Sequence, residues 1–280
     1  MGTSTVINVA AVAHRSPFRY PGGKTWLVPY VRKWLASLSP RPTEFAEPFA
    51  GGAIVGLSVL FDGLVDRLTL VEKDADVASV WRVILNGKGN ALAERILNFQ
   101  VTPESVKAVL SEKPDTLFDR AFATIVRNRV QRGGILAPGA SVMKLGENGR
   151  GLLSRWYPET LKKRILDIIE IRKRICFSCA DGLKLLQENR QKSKLAWLID
   201  PPYTVAGRRL YVHSVVDHDL IFSLAAQLRG QFLMTYDNVP IVRRMAKRHG
   251  FDTQEVAMKN THHAVMGELL IGKNLDWARD

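Results

Sequence analysis

The run Leu198-Ile199-Asp200-Pro201-Pro202-Tyr203 joins an apolar stretch to an acid, two prolines and an aromatic ring. Consecutive prolines fix two φ angles and contribute no amide donors, so the corner after the stretch is stiff. Such a corner holds the Asp200 carboxylate and its neighbouring carbonyls in one place. An exocyclic aromatic amine is a poor nucleophile because its lone pair is delocalised into the ring. Asp200 and the Pro201 carbonyl can each accept one of its hydrogens, which favours a pyramidal nitrogen aimed at an electrophile. Tyr203 offers a face for a base withdrawn from its stack. The plainer alternative is a proline-rich turn with a surface acid, and the strand-like run before it argues for the chemical one.

A second constellation is Glu47-Pro48-Phe49-Ala50-Gly51-Gly52-Ala53, between an expected strand and an expected helix. Glycines at a strand-to-helix turn permit tight bending and close approach of a ligand to the backbone. Glu72 closes the next expected strand, about twenty residues on, where an acid accepts hydrogen bonds from ribose hydroxyls in dinucleotide folds. The full G-x-G-x-x-G phosphate cradle is missing, so a nucleoside cofactor without a pyrophosphate fits better. A third run, Phe18-Arg19-Tyr20-Pro21-Gly22-Gly23-Lys24-Thr25, ends like a P-loop. That motif needs glycine where Phe18 stands, so an NTPase is excluded.

These residues need a scaffold, and the hydrophobic pattern supplies one. Short β-type runs are expected at 43–47, 67–72, 175–180, 195–200, 231–236, 252–258 and 268–272. Helices are expected at 53–61, 217–228 and 240–249. The alternation predicts an α/β fold, a Rossmann-like, mostly parallel sheet of about seven strands covered by helices. Residues 82–160 break the pattern with helical periodicity at Phe118, Phe122, Ile125 and Val126, then a basic, glycine-rich stretch. About 75 residues far exceed an ordinary crossover. The expected organisation is a leader at 1–15, a catalytic domain from 16–81 and 159–280, and a mainly helical insert at 82–158. In the helix opened by Pro158, Leu161, Ile165 and Ile168 should face the core, and Lys162, Lys163 and Arg164 water.

Lys and Arg number 40 against 27 Asp and Glu, a net charge of +13. Residues 120–174 hold 13 of these bases against 4 acids, which concentrates the excess in a fifth of the chain. A concentrated positive field suits a polyanion, because each neutralised phosphate releases condensed counterions. A solvated basic surface is the alternative. No apolar run approaches the ~20 residues of a membrane span. The apolar stretch from Val6 to Ala13 lacks a basic leader, so a cytoplasmic protein is expected. Cys176 and Cys179 are the only cysteines. Without a second pair they suit no zinc site, and the alternating segment predicts two small buried side chains. His262-His263 has no ligand-spaced acid or cysteine beside it, so no metal is expected.

Together the stretches Phe18 to Lys24, Glu47 to Gly52, Asp200 to Tyr203 and Glu268-Leu269-Leu270-Ile271 resemble the Dam-type family of DNA adenine-N6 methyltransferases, over roughly residues 17–274. The resemblance implies a seven-stranded Rossmann-like sheet whose last strand is antiparallel, with the insert as target-recognition domain. It implies S-adenosylmethionine as cofactor. Tyr20 and Lys24 would contact its amino-acid end, and Glu47, Phe49, Gly51, Gly52 and Asp200 would line its pocket. Glu72 would take the ribose, and Asp181 the adenine amino group unless it caps a helix instead. Ala53 departs from the family, where a third glycine is common; its methyl leaves room for the ligand provided φ is negative. Duplex DNA is the implied partner and a monomer the expected form, with restriction–modification as the setting. Arg127, Asn128, Arg129, Gln131 and Arg132 are side-chain types used for guanine, adenine and phosphate contacts. Lys144 and Arg150 extend that set, and Arg208 and Arg209 lie in a loop, 204–214, that could close over DNA. The expected reaction is direct methyl transfer to a flipped adenine. N4-cytosine or RNA-adenine methylation, methylation of protein amides, and an inactive DNA-binding relative remain open.

Overall fold

Seven short runs rich in branched and aromatic side chains assemble into one sheet. The structure, a computed structural model, describes residues 12–19, 23–137, 139–144, 146, 149–202, 216–259 and 265–279. The strands are β1 (Glu44–Glu47), β2 (Arg67–Glu72), β3 (Ile175–Cys179), β4 (Leu195–Ile199), β5 (Phe232–Asp237), β6 (Asp252–Lys259) and β7 (Val265–Gly272). They lie in the order β3-β2-β1-β4-β5-β7-β6. The first five are parallel, and β7 runs antiparallel to both β5 and β6. This is the Rossmann-like, mostly parallel sheet that the alternation predicts, with all seven strands within a few residues of their expected bounds.

β4 is buried at every position, as a central parallel strand covered on both faces must be. Side-chain alternation divides the core. Phe45, Leu198, Leu233 and Leu270 enter one apolar cluster, whereas Ala46, Trp197, Met234 and Ile271 enter the other. Full burial of a side chain of this size stabilises by about 2 kcal/mol. The first face is covered by α1 (Val28–Ser37), α2 (Ile54–Phe61) and α3 (Ala75–Val83). The second is covered by α8 (Gly182–Asn189), α9 (His218–Ala226) and α10 (Pro240–Arg248).

Between β2 and β3 lie α4 (Gly89–Asn98), α5 (Pro103–Ser111), α6 (Leu117–Val130) and α7 (Pro158–Glu170). Their ends are written in sequence: Thr102 and Ser105 form a reciprocal capping box with Pro103 at the first turn, and the Thr116 hydroxyl accepts the Asp119 amide, as such caps do. Leu92, Ile96, Phe122 and Ile125 join the apolar cluster of the first sheet face. Residue 82, the expected start of the insert, falls in the last turn of α3.

Two expectations are corrected. Cys176 and Cys179 are exposed, not buried, because β3 is an edge strand. Three residues apart on a strand, they point to opposite faces with Cα atoms about 10 Å apart, beyond the about 7 Å that a disulfide spans. Arg164 does not face water; it is half-buried and donates to the Ser16 carbonyl at 3.2 Å. Among the described residues no helix is long and apolar enough to cross a membrane.

Gly182 marks where two loops meet. A Cβ there would lie 2.1 Å from the Pro48 carbonyl oxygen, so the loop after β1 and the start of α8 touch through backbone. Gly182→Ala should cost about 1–3 kcal/mol by forcing them apart. A urea midpoint equal to that of the parent would show that the loops do not pack as described.

Candidate active site

The strand order changes direction between β1 and β4. In open α/β sheets ligands bind outside the carboxyl ends of the strands at such a switch point. Glu47 is the last residue of β1 and Asp200 directly follows β4. Glu72 ends β2 and Asp237 ends β5. The sheet therefore lines up acids along the edge where a ligand is expected.

Asp200 is held from one side. Its Oδ1 accepts the Thr235 hydroxyl at 2.6 Å and lies 3.3 Å from Lys24 Nζ. Nζ also lies 3.3 and 3.4 Å from the two Glu268 oxygens. Lys24 and Glu268 are buried, whereas the Asp200 side chain stays 26% exposed. Burial alone would depress the Lys24 ammonium; the charges of Asp200 and Glu268 outweigh it and raise its pKa. Thr235 and Lys24 thus both engage Oδ1, and no described bond takes Oδ2.

Glu47 is buried, and its Oε1 accepts the Gly56 amide at 2.5 Å. Burial, reinforced by the Asp200 charge, pushes its pKa up to about 8, against the pull of that amide. Glu72 accepts the Gly51 amide at 2.9 Å on one oxygen and the Asp74 amide at 2.7 Å on the other. Burial raises it to about 7. Gly51 sits at φ +47°, and its carbonyl accepts the Trp81 indole N–H at 2.9 Å. The glycine loop is therefore clamped by Glu72 and Trp81, with Gly52 buried and Phe49 packed against the second-face cluster. Ala53 adopts φ +48°, not the negative φ that would make its methyl innocuous. Left-handed backbone at a non-glycine residue costs roughly 1–2 kcal/mol. Asp181 caps α8 through the Leu183 amide at 2.9 Å and pairs with Lys73 at 2.9 Å.

No family model matches the chain, and no curated protein matches it. Solved structures do. A protein described as a candidate RNA methyltransferase from Pyrococcus horikoshii is 11% identical, with 91% of this chain and 84% of that one covered at a TM-score of 0.40. A precorrin-6y C5,15-methyltransferase from Geobacter metallireducens is 9% identical, with 87% and 85% covered at 0.37. A Thermoplasma acidophilum protein is 11% identical, with 89% and 88% covered at 0.39. At such scores these likenesses carry no argument about the chemistry of this chain.

The expected site residues divide three ways. Lys24, Glu47, Phe49, Gly51, Gly52, Glu72, Asp181, Asp200, Pro201 and Pro202 stand on the loops at this edge of the sheet or reach onto it. Tyr20, Tyr203, Arg208, Arg209 and the His262-His263 pair lie outside the described residues. Among the basic candidates, Arg132, Lys144 and Arg150 are exposed. Arg127 pairs with Asp76 at 2.8 Å, and Gln131 Nε2 donates to the Ala140 carbonyl at 3.4 Å.

Asn128 and Arg129, expected at DNA, are instead buried. Asn128 Oδ1 accepts the Arg19 amide at 2.8 Å while its Nδ2 donates to the Arg19 and Gly134 carbonyls. Arg129 donates to the Pro17 carbonyl. Both hold the N-terminal segment against α6. Thr235 was missed, and Glu268 had no role. A lone acid inside the otherwise apolar β7 was the available signal, since a buried carboxylate needs a partner. Thr235 gave none.

The raised acids make stability pH-dependent in a definite direction. Between the ordinary value of 4.5 and about 8, folded Glu47 holds a proton that the unfolded chain releases. Stability is then greatest below the ordinary value and falls as pH rises toward 8; Glu72 acts likewise up to about 7. Glu47→Gln cannot ionise and should flatten the decline of the thermal midpoint over that window. An equally steep decline in the variant would place the titration elsewhere.

Proposed function

We propose that the chain transfers a methyl group from S-adenosylmethionine to the N6 amino group of adenine in duplex DNA. The observation that carries this is the one-sided hold on Asp200 at the switch point: Oδ1 is engaged by Thr235 and Lys24 while the side chain remains accessible. Oδ2 is then available to accept one amine hydrogen, and the Pro201 carbonyl the other. As the methyl carbon passes from the sulfonium, which would leave as a neutral thioether, to the amine nitrogen, Asp200 would accept the proton that the amine sheds. Tyr203, next in sequence, would support the face of the flipped base.

The residues present fit the cofactor. Glu72 is fixed by two backbone amides and keeps lone pairs for ribose hydroxyls. Gly51 and Gly52 bring backbone close without a side chain in the way. Glu47, beside the Asp200 charge, suits an ammonium, whose approach favours its ionised form. When bound, S-adenosylmethionine supplies the electrophilic methyl; the protein supplies orientation and hydrogen-bond acceptance. Arg132, Lys144 and Arg150, exposed on the 82–158 segment, suit the phosphate backbone, with that segment as the target-recognition part.

Asp200→Ala should lower the rate of methyl transfer by about two to three orders of magnitude, the scale of a lost preorganised polar contact, with cofactor binding still measurable. Retained turnover would reject its role. Glu72→Ala should instead weaken cofactor binding by at least about tenfold, the effect of losing hydrogen bonds to a charged group. An unchanged dissociation constant by calorimetry would reject that contact. Mass spectrometry of the nucleosides from methylated DNA should show N6-methyladenine. N4-methylcytosine, or product only with RNA, would overturn the substrate assignment.

A further inference from the structure

The N-terminal segment 16–19 crosses α6 and α7 on three arginines. Arg164 donates to the Ser16 carbonyl, Arg129 to the Pro17 carbonyl, and Arg19 is fixed through its own backbone by Asn128. No ion pair to a carboxylate is formed by Arg19, Arg129 or Arg164 among the described residues. Arg129 is 4% exposed, and its Nε is buried without a hydrogen-bond partner, as is Nη1 of Arg19. Arg19 and Arg164 are only half-buried, so the cluster lies near the surface.

An unpaired buried guanidinium N–H is costly, and several in one place compound the cost. Burial first, and then the charges of Arg164, Arg19 and Arg155, draw the Arg129 pKa down to about 9. Groups that repel each other while leaving donors unused are what an anion with several acceptor oxygens would repair. A phosphate accepts from more than one guanidinium at once.

We propose that Arg19, Arg129 and Arg164 form a binding site for a single phosphate group. Under the function proposed above, that phosphate belongs to the DNA backbone; the anion site itself does not depend on that function. Arg19 lies five residues before Lys24, whose ammonium meets Asp200. A strand anchored at the cluster is thereby tied by one short stretch of chain to the proposed reaction centre. Gly134 helps to seat Arg19, because a Cβ there would lie 2.6 Å from the Arg19 carbonyl oxygen.

The test compares the parent protein with Arg19→Gln, Arg164→Gln and the double variant, without cofactor. Arg129 is left intact because it is almost fully buried. Arg164 also holds the segment, through the Ser16 carbonyl, so the thermal midpoint of each variant is measured to check that the fold is kept. Affinity for a mixed-sequence duplex is measured by fluorescence anisotropy across a salt series. Each phosphate neutralised contributes about 0.9 to the slope of log affinity against log salt. Each single variant should weaken binding, and the double variant should lose about 0.9 of slope in total, one phosphate shared by both residues. A loss of about 1.8 would mean two separate contacts and overturn the shared site.

In parallel, inorganic phosphate is compared with chloride at equal ionic strength. A rise in the thermal midpoint of the parent, absent in Arg19→Gln, together with unchanged DNA slopes, would keep the site and assign it to free phosphate. Unchanged slopes together with no protection by phosphate would overturn the proposal. Methyl transfer is assayed separately, so a failed substrate assignment would leave the anion result standing.

Discussion

The buried Lys24 ammonium joins three parts of the chain that sequence keeps far apart. It stands at the start of the 3-10 turn Lys24–Leu27 and meets Asp200 after β4 and Glu268 on β7. Removing one member of a buried ion pair typically costs about 3–5 kcal/mol, because the remaining charge is left without a partner. The contact is therefore strict about geometry: β7 must lie beside β5, and the N-terminal segment must cross the sheet edge. The antiparallel insertion of β7 puts Glu268 opposite Asp237, at the edge where the parallel strands end. Run parallel, β7 would bring its last residue, Gly272, to this edge in place of Glu268.

The sheet was legible because its strands are short runs rich in branched and aromatic residues, several of them closed by an acid, as at Glu47, Glu72, Asp200 and Asp237. Glu47, Glu72 and Asp200 were legible for the same reason: a charged residue at the end of an apolar strand has only the sheet edge to occupy. What escaped was whatever depended on lateral neighbours. Thr235 matters only because β5 lies next to β4. The cysteines seemed buried because alternation says nothing about whether a strand is at the edge. Asn128 and Arg129 are expected outside because their types suit nucleic acid, yet both are buried. Asn128 is taken up by the backbone of Arg19 and Gly134, and Arg129 spends one donor on the Pro17 carbonyl and leaves Nε without a partner. Residue type gives the chemistry a side chain can do; tertiary pairing decides which of it remains available.

The glycine loop shows how strain is tolerated when neighbours over-determine it. Ala53 occupies left-handed backbone, yet its amide donates to Ala50 at 2.7 Å and its carbonyl accepts the Leu57 amide at 3.0 Å. Gly51, two residues earlier, is held at both ends of its peptide by Glu72 and Trp81. With both flanks fixed, residue 53 has no relaxed alternative, and the cost stays local. The loop is thus set before any ligand arrives, which lowers the ordering entropy that binding would otherwise require.

Charge is sorted by depth in a way that bears on how a substrate can enter. The chain carries a net +13, yet Glu47, Glu72, Asp200, Asp237 and Glu268 stand at the carboxyl edge of the sheet, where Asp200 and Glu268 meet the buried Lys24 ammonium and burial favours the protonated forms of Glu47 and Glu72. A cationic ligand, whose approach favours the ionised forms of Glu47 and Glu72, suits that edge better than a phosphate group does. Outside that edge the sign reverses, with arginines and lysines on the 82–158 segment and beside residues 16–19. On the proposed function, a polyanion held by the outer field meets an acidic floor that excludes its backbone. Only its uncharged part, a base, can go in without electrostatic penalty. Under that proposal extrusion of the nucleotide would follow from the sign of the field as well as from reach, since a charge separation that drew DNA in would also keep its sugar–phosphate chain at the rim.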